Sequence, residues 1–332
     1  MPHYLRVLIP FEAVLGFLPV TLFLLSLLYL DSFKLVRLTT VVQLILYGCV
    51  VAVIGFGLNH WLLQMGLDRR MLTRFVAPAI EETLKAIPVL IMLRTRRIGF
   101  LIDAAIDAFA IGAGFALAEN LYYLSRLTDA PPALWVVRGF GTAVMHGGTT
   151  AIFAIIAKSR SVPLGWLIAF GLHSLFNHFI LSPAISTVVI ILVLPPLMVF
   201  VFSQSERHLR SWLGTGFDLD AALLRAMNTG EFAQSPAGQY LQSLRDHFEG
   251  PVLADMLCFL RLQTELSLRM KGVLMLRESG FPVKRDAEVA EKLAELHYVK
   301  ESIGKTGELA LAPLLHRSPQ DLWELQVLEH GE

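Results

Sequence analysis

Long apolar segments recur along the chain up to Phe202, and they constrain its fold more than any other feature. A helix that crosses a bilayer needs about 20 mostly apolar residues, and all its backbone polar groups must be bonded internally. Seven segments fit this requirement. They are Leu8–Leu30, Val41–Met65, Phe75–Leu93, Gly99–Leu124, Leu134–Ala157, Gly165–Leu181 and Ala184–Phe202. The pattern predicts an all-α fold, a polytopic transmembrane helical bundle of about seven spans.

The character of the sequence changes after Phe202. Hydrophobic residues make up 55% of the chain, above the roughly 45–50% of soluble domains. Residues 1–202 contain 14 Lys+Arg and 9 Asp+Glu, whereas residues 203–332 contain 14 and 19. We therefore predict a transmembrane domain over 1–202 and a C-terminal soluble helical domain over 203–332. Neither charge balance favours nucleic acid as a partner.

The basic residues of the short loops predict a multi-pass protein of the cell membrane with its tail inside. With a cytoplasmic tail, nine loop Lys/Arg lie on the inner side and five on the outer side, so the N-terminus is extracytoplasmic. In the tail, apolar spacing predicts helices at Leu253–Leu276 and Ala287–Val299, separated by Gly280-Phe281-Pro282. The tail's role stays open between sensing, docking a regulatory partner and forming a homo-oligomer.

Ionisable side chains lie inside four of these apolar segments, where each costs several kcal/mol and usually faces a cavity or a partner. Glu81 and Lys85 are four residues apart and share a helix face, while Glu82 faces about 100° away. His173 and Asn177 also share a face. The candidate site residues are Glu81, Glu82, Lys85, Glu119, His146, His173 and Asn177, and we expect one shared cavity in the outer half of the membrane.

This set suits hydrolysis of a peptide bond, which needs an activated water and a stabilised oxyanion. A glutamate shielded from water could act as the base, and an imidazole or an amide could donate to the oxyanion. A zinc site is the rival, because His146, His173 and Glu119 are a possible ligand set. We expect no cofactor, since the histidines lack the helical His-Glu-x-x-His spacing and Lys85 would repel a cation.

Four ordered motifs resemble the PrsW family of intramembrane proteases, over roughly residues 30–181. Glu81-Glu82-Thr83-Leu84-Lys85 resembles its EExxK motif, and the run from Gly114 to Tyr123 resembles its second signature. His146, followed by Thr149-Thr150-Ala151, resembles the third, and His173-Ser174-Leu175-Phe176-Asn177 resembles the fourth. Asp103 matches an upstream aspartate of the family, while Ala104 stands where a glycine is expected.

The resemblance implies an intramembrane endopeptidase of the glutamic type, related to the CAAX prenyl endopeptidases. Its substrate would be a membrane-anchored protein in the lipid bilayer, for example an anti-sigma factor in a signalling pathway. Glu81 and Glu82 would activate the water, and Lys85 would hold their geometry. Glu119 and His146 would position the water or polarise the carbonyl, and His173 and Asn177 would stabilise the oxyanion.

Two functions of other classes fit part of the pattern. A proton-coupled transporter would also bury Glu and His residues, although such folds often contain repeats and we find none. A signalling module whose spans only anchor the tail would leave the intramembrane charges unexplained. Both are weaker interpretations than a protease.

Overall fold

The computed structural model of the chain describes residues 11–127, 130–283 and 287–315, together with Gln320 and Trp323. The part of the chain that it describes is helical and contains no strand, as the apolar pattern predicts. Residues 8–10, the predicted start of the first span, lie outside the described ranges. The chain divides into two compact units.

The first unit holds the described residues up to Asp31, together with Leu35–Thr95 and Phe100–Ser205. Two π-helical stretches, Leu72–Val76 and Val137–Ala143, interrupt its α-helices. The α-helices are α1 (Phe11–Leu30), α2 (Leu38–Gln64), α3 (Arg69–Met71), α4 (Ala77–Arg94), α5 (Leu101–Arg126), α6 (Pro132–Val136), α7 (Val144–Ser159), α8 (Val162–Asn177) and the first part of α9 (Pro183–Thr229).

Five helical segments among the described residues are long and apolar enough to cross a membrane: α1, α2, α5, the continuous run Pro132–Ser159, and α9. The other two predicted spans correspond to α4 and α8. Helix α4 is 18 residues long but carries two glutamates and two basic residues, and α8 is apolar but has only 16 residues. The described chain is thus a membrane protein with several apolar helices, and the count of seven spans stays a prediction.

Helix α5 is the central element of the first unit, because every residue from Ile102 to Ala116 is buried. It packs against α1, α2 and α7. A side chain at Gly112 would place its Cβ only 2.2 Å from the carbonyl oxygen of His146 on α7. One at Gly114 would lie 2.0 Å from the carbonyl oxygen of Ile45 on α2. Small residues permit such close backbone contact between membrane helices, and here the contact fixes the position of His146.

The seventh apolar segment belongs to a helix much longer than predicted. We expected a span over Ala184–Phe202. The helix that contains it, α9, is 47 residues long and runs from Pro183 to Thr229. The polar residues that follow Phe202 include Gln, Glu and Arg, which favour helix, so the fall in hydropathy does not end the helix. It ends before Gly230, whose φ of 81° lies in the left-handed region.

The second unit holds Ser32–Lys34, Arg96–Gly99 and the described residues from Glu206 onward. After α9 it contains α10 (Pro236–Ser243), α11 (Gly250–Glu278) and α12 (Ala287–Leu311), with short 3₁₀ turns at Glu231–Gln234 and Leu244–Asp246. Helices α11 and α12 pack together and contain the two predicted tail helices, and Gly280, in the segment between them, has a φ of 76°. That this unit is a soluble cytoplasmic domain stays a prediction.

Candidate active site

Glu82 is the hub of a buried polar cluster in the first unit. Its Oε1 accepts hydrogen bonds from Lys85 Nζ at 2.7 Å, His173 Nδ1 at 2.8 Å and Thr149 Oγ1 at 3.4 Å. These partners come from α4, α8 and α7, and Lys85 is 0% exposed and Glu82 3% exposed. A buried charge pair is tolerated only when further hydrogen bonds surround it, and Glu82 meets that condition.

Lys85 pairs with a different glutamate from the one that shared helix spacing suggested. The four-residue spacing allows a pair with Glu81, whereas the salt bridge is to Glu82, three residues away. Both spacings place two side chains on neighbouring positions of a helix, so the sequence alone could not choose between them. Tertiary partners decide, because His173 approaches Glu82 from α8 and draws that carboxylate into the interior.

Lys85 also fixes the tautomer of His146. Its Nζ lies 3.1 Å from His146 Nδ1 and 4.7 Å from the centre of the Phe115 ring. An ammonium group has no lone pair, so Nδ1 of the imidazole must be the acceptor. The ring proton then belongs to Nε2, which lies 3.3 Å from Glu119 Oε2. His146 therefore offers an N–H donor to the interior of the cluster.

The second histidine has the opposite arrangement. His173 Nδ1 donates to the Glu82 carboxylate, which leaves the lone pair on Nε2 in the neutral ring. That Nε2 lies 3.8 Å from Glu81 Oε2. The other oxygen of Glu81 accepts a long hydrogen bond of 3.4 Å from Asn59 Nδ2 on α2. Glu81 thus accepts fewer and longer hydrogen bonds than Glu82.

Arg138 is a member of the cluster that the sequence analysis did not single out. It lies in the second π-helical stretch, its Nη2 is 3.2 Å from Glu119 Oε2, and its guanidinium carbon lies 3.8 Å from the centre of the Tyr123 ring. Its Nε donates to Asn120 Oδ1 at 2.9 Å, and Asn120 in turn donates to the Gly16 carbonyl on α1. The signal was available, because an arginine inside an apolar segment is suspect by the same rule as the glutamates.

Asn177 is a predicted site residue whose side chain bonds outside the cluster of glutamates and histidines. Its Nδ2 donates to the Thr73 carbonyl at 3.0 Å, and Ser174, on the same helix, donates to the Arg74 carbonyl at 2.6 Å. These bonds attach α8 to the π-helical stretch that precedes α4. Asn177 therefore fastens the helix that carries His173, and its role at an oxyanion stays a prediction.

Two further acidic residues of α5 are buried nearer its N-terminus than Glu119. Asp103 accepts hydrogen bonds from the backbone N–H groups of Phe100 and Ala104, so it caps the first turn of α5. Asp107 is buried one turn further along, and one of its oxygens has no hydrogen-bond partner.

The cluster includes a set of side chains that could hold a metal ion. One ligand atom each of Glu81, His146 and His173 lies within 4.8 Å of the others. This set differs from the one that the sequence suggested, because Glu81 takes the place of Glu119. Two histidines and a carboxylate are a known ligand set of zinc.

Comparison with known proteins points to one family. A family model described as "PrsW family intramembrane metalloprotease" matches residues 35–203. The match contains all seven predicted site residues and the whole of the cluster described above. No curated protein and no solved structure matches the chain.

Proposed function

Because the chain belongs to the PrsW family of intramembrane proteases, we propose that it cleaves a membrane-anchored protein with a water activated by a buried glutamate. The observation that carries the proposal is the convergence of Glu81, Glu82, Lys85, His146 and His173 from three helices on one buried spot. Such a concentration of ionisable groups between apolar helices is costly, and it typically marks a functional site.

Glu81 is the general base in this proposal. Glu82 Oε1 already accepts three hydrogen bonds, from Lys85, His173 and Thr149, so this oxygen serves to hold the cluster together. Glu81 has only the long bond from Asn59, and its other oxygen faces the lone pair of His173 Nε2 across 3.8 Å. A water between these two acceptors donates one proton to each, which directs its oxygen lone pair toward a substrate carbonyl.

His146 is the donor for the oxyanion. The Lys85 ammonium on the other ring nitrogen fixes the proton on Nε2, which lies 3.3 Å from Glu119 Oε2 in the structure, and the oxyanion would replace that carboxylate as the acceptor. The water oxygen bonds to the carbonyl carbon while Glu81 takes a proton, and the oxyanion accepts from His146. Glu81 then gives the proton to the leaving amine nitrogen as the C–N bond breaks. The roles first suggested for His146 and His173 are thereby exchanged.

A metal-dependent reaction is the alternative, and the hydrogen bonds argue against it. His173 fits a metal ligand, because its Nδ1–H rests on a carboxylate and Nε2 is free to coordinate. His146 does not fit, since Lys85 occupies Nδ1 and the proton then sits on the nitrogen that a metal would need. The positive charge of Lys85 also opposes a cation nearby. The proposed reaction therefore uses no metal ion.

A cleavage assay tests both points. The purified full-length chain is reconstituted in lipid nanodiscs with a panel of single-span membrane proteins, and products are identified by mass spectrometry. We expect cleavage of at least one member, unchanged after treatment with a strong chelator and with far less than one metal ion bound per chain. Loss of cleavage on stripping and its return with added zinc would establish the metal mechanism. No cleavage of any member would count against the protease.

The proposed topology has seven spans, an extracytoplasmic N-terminus and a cytoplasmic tail, with α4 and α8 completing the five long apolar helices. We test it with two exposed positions after replacing Cys49 and Cys258 by alanine. In intact cells, an impermeant thiol reagent should label Ser125→Cys, at the outer end of α5, and not Ala233→Cys, in the tail. The reverse pattern would invert the topology and place the site toward the cytoplasm.

A further inference from the structure

A groove of about 480 Å³ lies in the first unit between α7, α8 and α9. Its floor is formed by one face of α7, including Gly148, Thr149 and Ile152, and its walls by α8 and α9. The volume lies within the roughly 300–1,000 Å³ of typical ligand sites. None of the residues to which the proposed mechanism gives a chemical role lines this groove.

The floor of the groove touches the candidate active site. Thr149 lines the groove and also places its Oγ1 3.4 Å from Glu82 Oε1. On the α8 wall, Leu172 lines the groove and directly precedes His173, which donates to the same carboxylate. An occupant of the groove would therefore lie one side chain away from the proposed catalytic carboxylates.

Two glycines, one in α7 and one in the π-helical stretch before it, pack against side chains of the α9 wall. A Cβ at Gly148 would lie 2.8 Å from Leu194 Cδ2, and one at Gly141 would lie 2.3 Å from Thr187 Oγ1. Side chains of α9 thus fill the space beside these glycines, and the groove lies next to this contact.

The lining is apolar and opens toward the side of the bundle. Thr149 and Ser186 are its only polar residues, and the wall residues Leu172 and Val193 are 40% and 57% exposed. Both walls belong to apolar helices, so the opening faces the hydrocarbon of the membrane. Only an apolar chain that already resides in the bilayer can enter from that side.

We propose that this groove binds the transmembrane helix of the substrate and delivers it laterally to Glu81 and Glu82. The inference rests on the proposed protease function. A lipid acyl chain would fit the apolar walls equally well, but only a polypeptide brings a scissile bond to the carboxylates at the floor.

Bulky substitutions test the groove kinetically. Leu172→Trp and Val193→Trp fill it from either wall, and Leu167→Trp and Val188→Trp are matched controls on the same helices, exposed and outside the lining. For a single-span substrate cleaved in nanodiscs, the groove variants should raise KM, as a mole fraction in the bilayer, about tenfold. Their kcat should stay unchanged, because binding common to ground and transition states is lost. Equal KM values for groove and control variants would overturn the proposal.

Photo-crosslinking tests occupancy without catalysis. The chain carries Glu82→Gln and benzoylphenylalanine at position 172 or 193, with 167 and 188 as controls. The probe is a biotinylated Leu/Ala helix of about 20 residues with lysine flanks, in phosphatidylcholine nanodiscs. Peptide adducts should form at 172 and 193 and be much weaker at 167 and 188. Adducts only to phospholipid, only to a second copy of the chain, or equally at all four positions would overturn the proposal.

The two experiments separate this inference from the proposed function. Wild-type cleavage with unaltered KM in the groove variants would refute the groove and leave the protease standing. Probe adducts at 172 and 193, in a chain that cleaves no member of the panel, would support a helix-binding groove while the protease proposal fails.

Discussion

Two buried lysines, one in each unit, are held in closely similar ways. Lys85 bonds the Glu82 carboxylate at 2.7 Å and lies 4.7 Å from the centre of the Phe115 ring. Lys271 bonds the Asp220 carboxylate at 2.7 Å and lies 5.0 Å from the centre of the Trp212 ring. Exposure is 0% for the first and 2% for the second. Distance, burial of the lysine and aromatic contact therefore do not distinguish the two ion pairs, although the Asp220 side chain is 16% exposed and that of Glu82 only 2%.

The difference lies in what else the carboxylate touches. Asp220 is shared with the hydroxyl of Ser267, which does not ionise at ordinary pH. Glu82 is shared with His173, and Lys85 is shared with His146, so two imidazoles that can carry protons adjoin the pair. A buried ion pair by itself therefore indicates no function, while an ion pair within a set of proton carriers indicates chemistry.

Removing a carboxylate from each pair should give the largest contrast. Glu81→Gln and Glu82→Gln should each lower the rate of substrate cleavage by about 10² or more, the scale for loss of a general base or its partner. Asp220→Asn should leave the rate near that of the wild type. Cleavage in nanodiscs measures this, with membrane insertion of each variant checked by size-exclusion chromatography. Wild-type rates in both glutamate variants would refute the mechanism.

Removing the lysines should separate stability from activity. Lys85→Met leaves the Glu82 carboxylate buried without its cation, and we expect a loss of about 3–5 kcal/mol in the free energy of unfolding. Lys271→Met should cost less, because the Asp220 side chain is 16% exposed and keeps its bond from Ser267. Only Lys85→Met should also abolish cleavage, because it frees the His146 tautomer. Denaturation in detergent and the cleavage assay on folded protein provide the two readouts. Equal activity losses in the two variants would show that Lys85 and Lys271 do not differ in their contribution to catalysis.

Arg138 should give the smallest effect, because it acts through Glu119 as a positioning residue. Arg138→Gln removes the contact at 3.2 Å with Glu119 Oε2, and we expect about a tenfold fall in kcat from a misplaced carboxylate. Arg138→Lys should restore only part of the rate, since an ammonium lacks the planar fork. Arg126→Gln, an exposed arginine on the neighbouring Tyr122 ring, is the control. A kcat equal to that control would show that Arg138 serves packing alone.

Much of the fold and of the site could be predicted because the sequence places charges where hydrocarbon should be. The apolar segments gave the helices, and six of the seven predicted site residues lie in the connected cluster. The pairing of Lys85 with Glu82 was not predictable, since it depends on which carboxylate α8 approaches. Arg138 was missed because it lies just inside the start of the fifth apolar segment, where a long basic side chain can also reach the membrane surface.

The length of α9 shows a second limit of sequence reasoning. Hydropathy reports the solvent around a helix, whereas helix termination depends on backbone and capping chemistry. In α9 the hydropathy falls after Phe202, whereas the helix continues through residues 203–229 and ends only before Gly230. A domain boundary placed at a change of composition, here between residues 202 and 203, can therefore fall inside a continuous helix.

The contacts at Gly112 and Gly114 have a consequence for motion. Helix α5 touches carbonyl oxygens of α7 on one side and of α2 on the other, and neither contact leaves room for a methyl group. Sliding either neighbour by one residue would set Ile111 or Ala113 against an oxygen that only glycine accommodates. The three helices are thus locked in a single axial register. His146 keeps its depth in the membrane by backbone contact, so any opening of the site for a substrate must come from helices outside this set, such as α4 with Glu81 and Glu82 or α8 with His173.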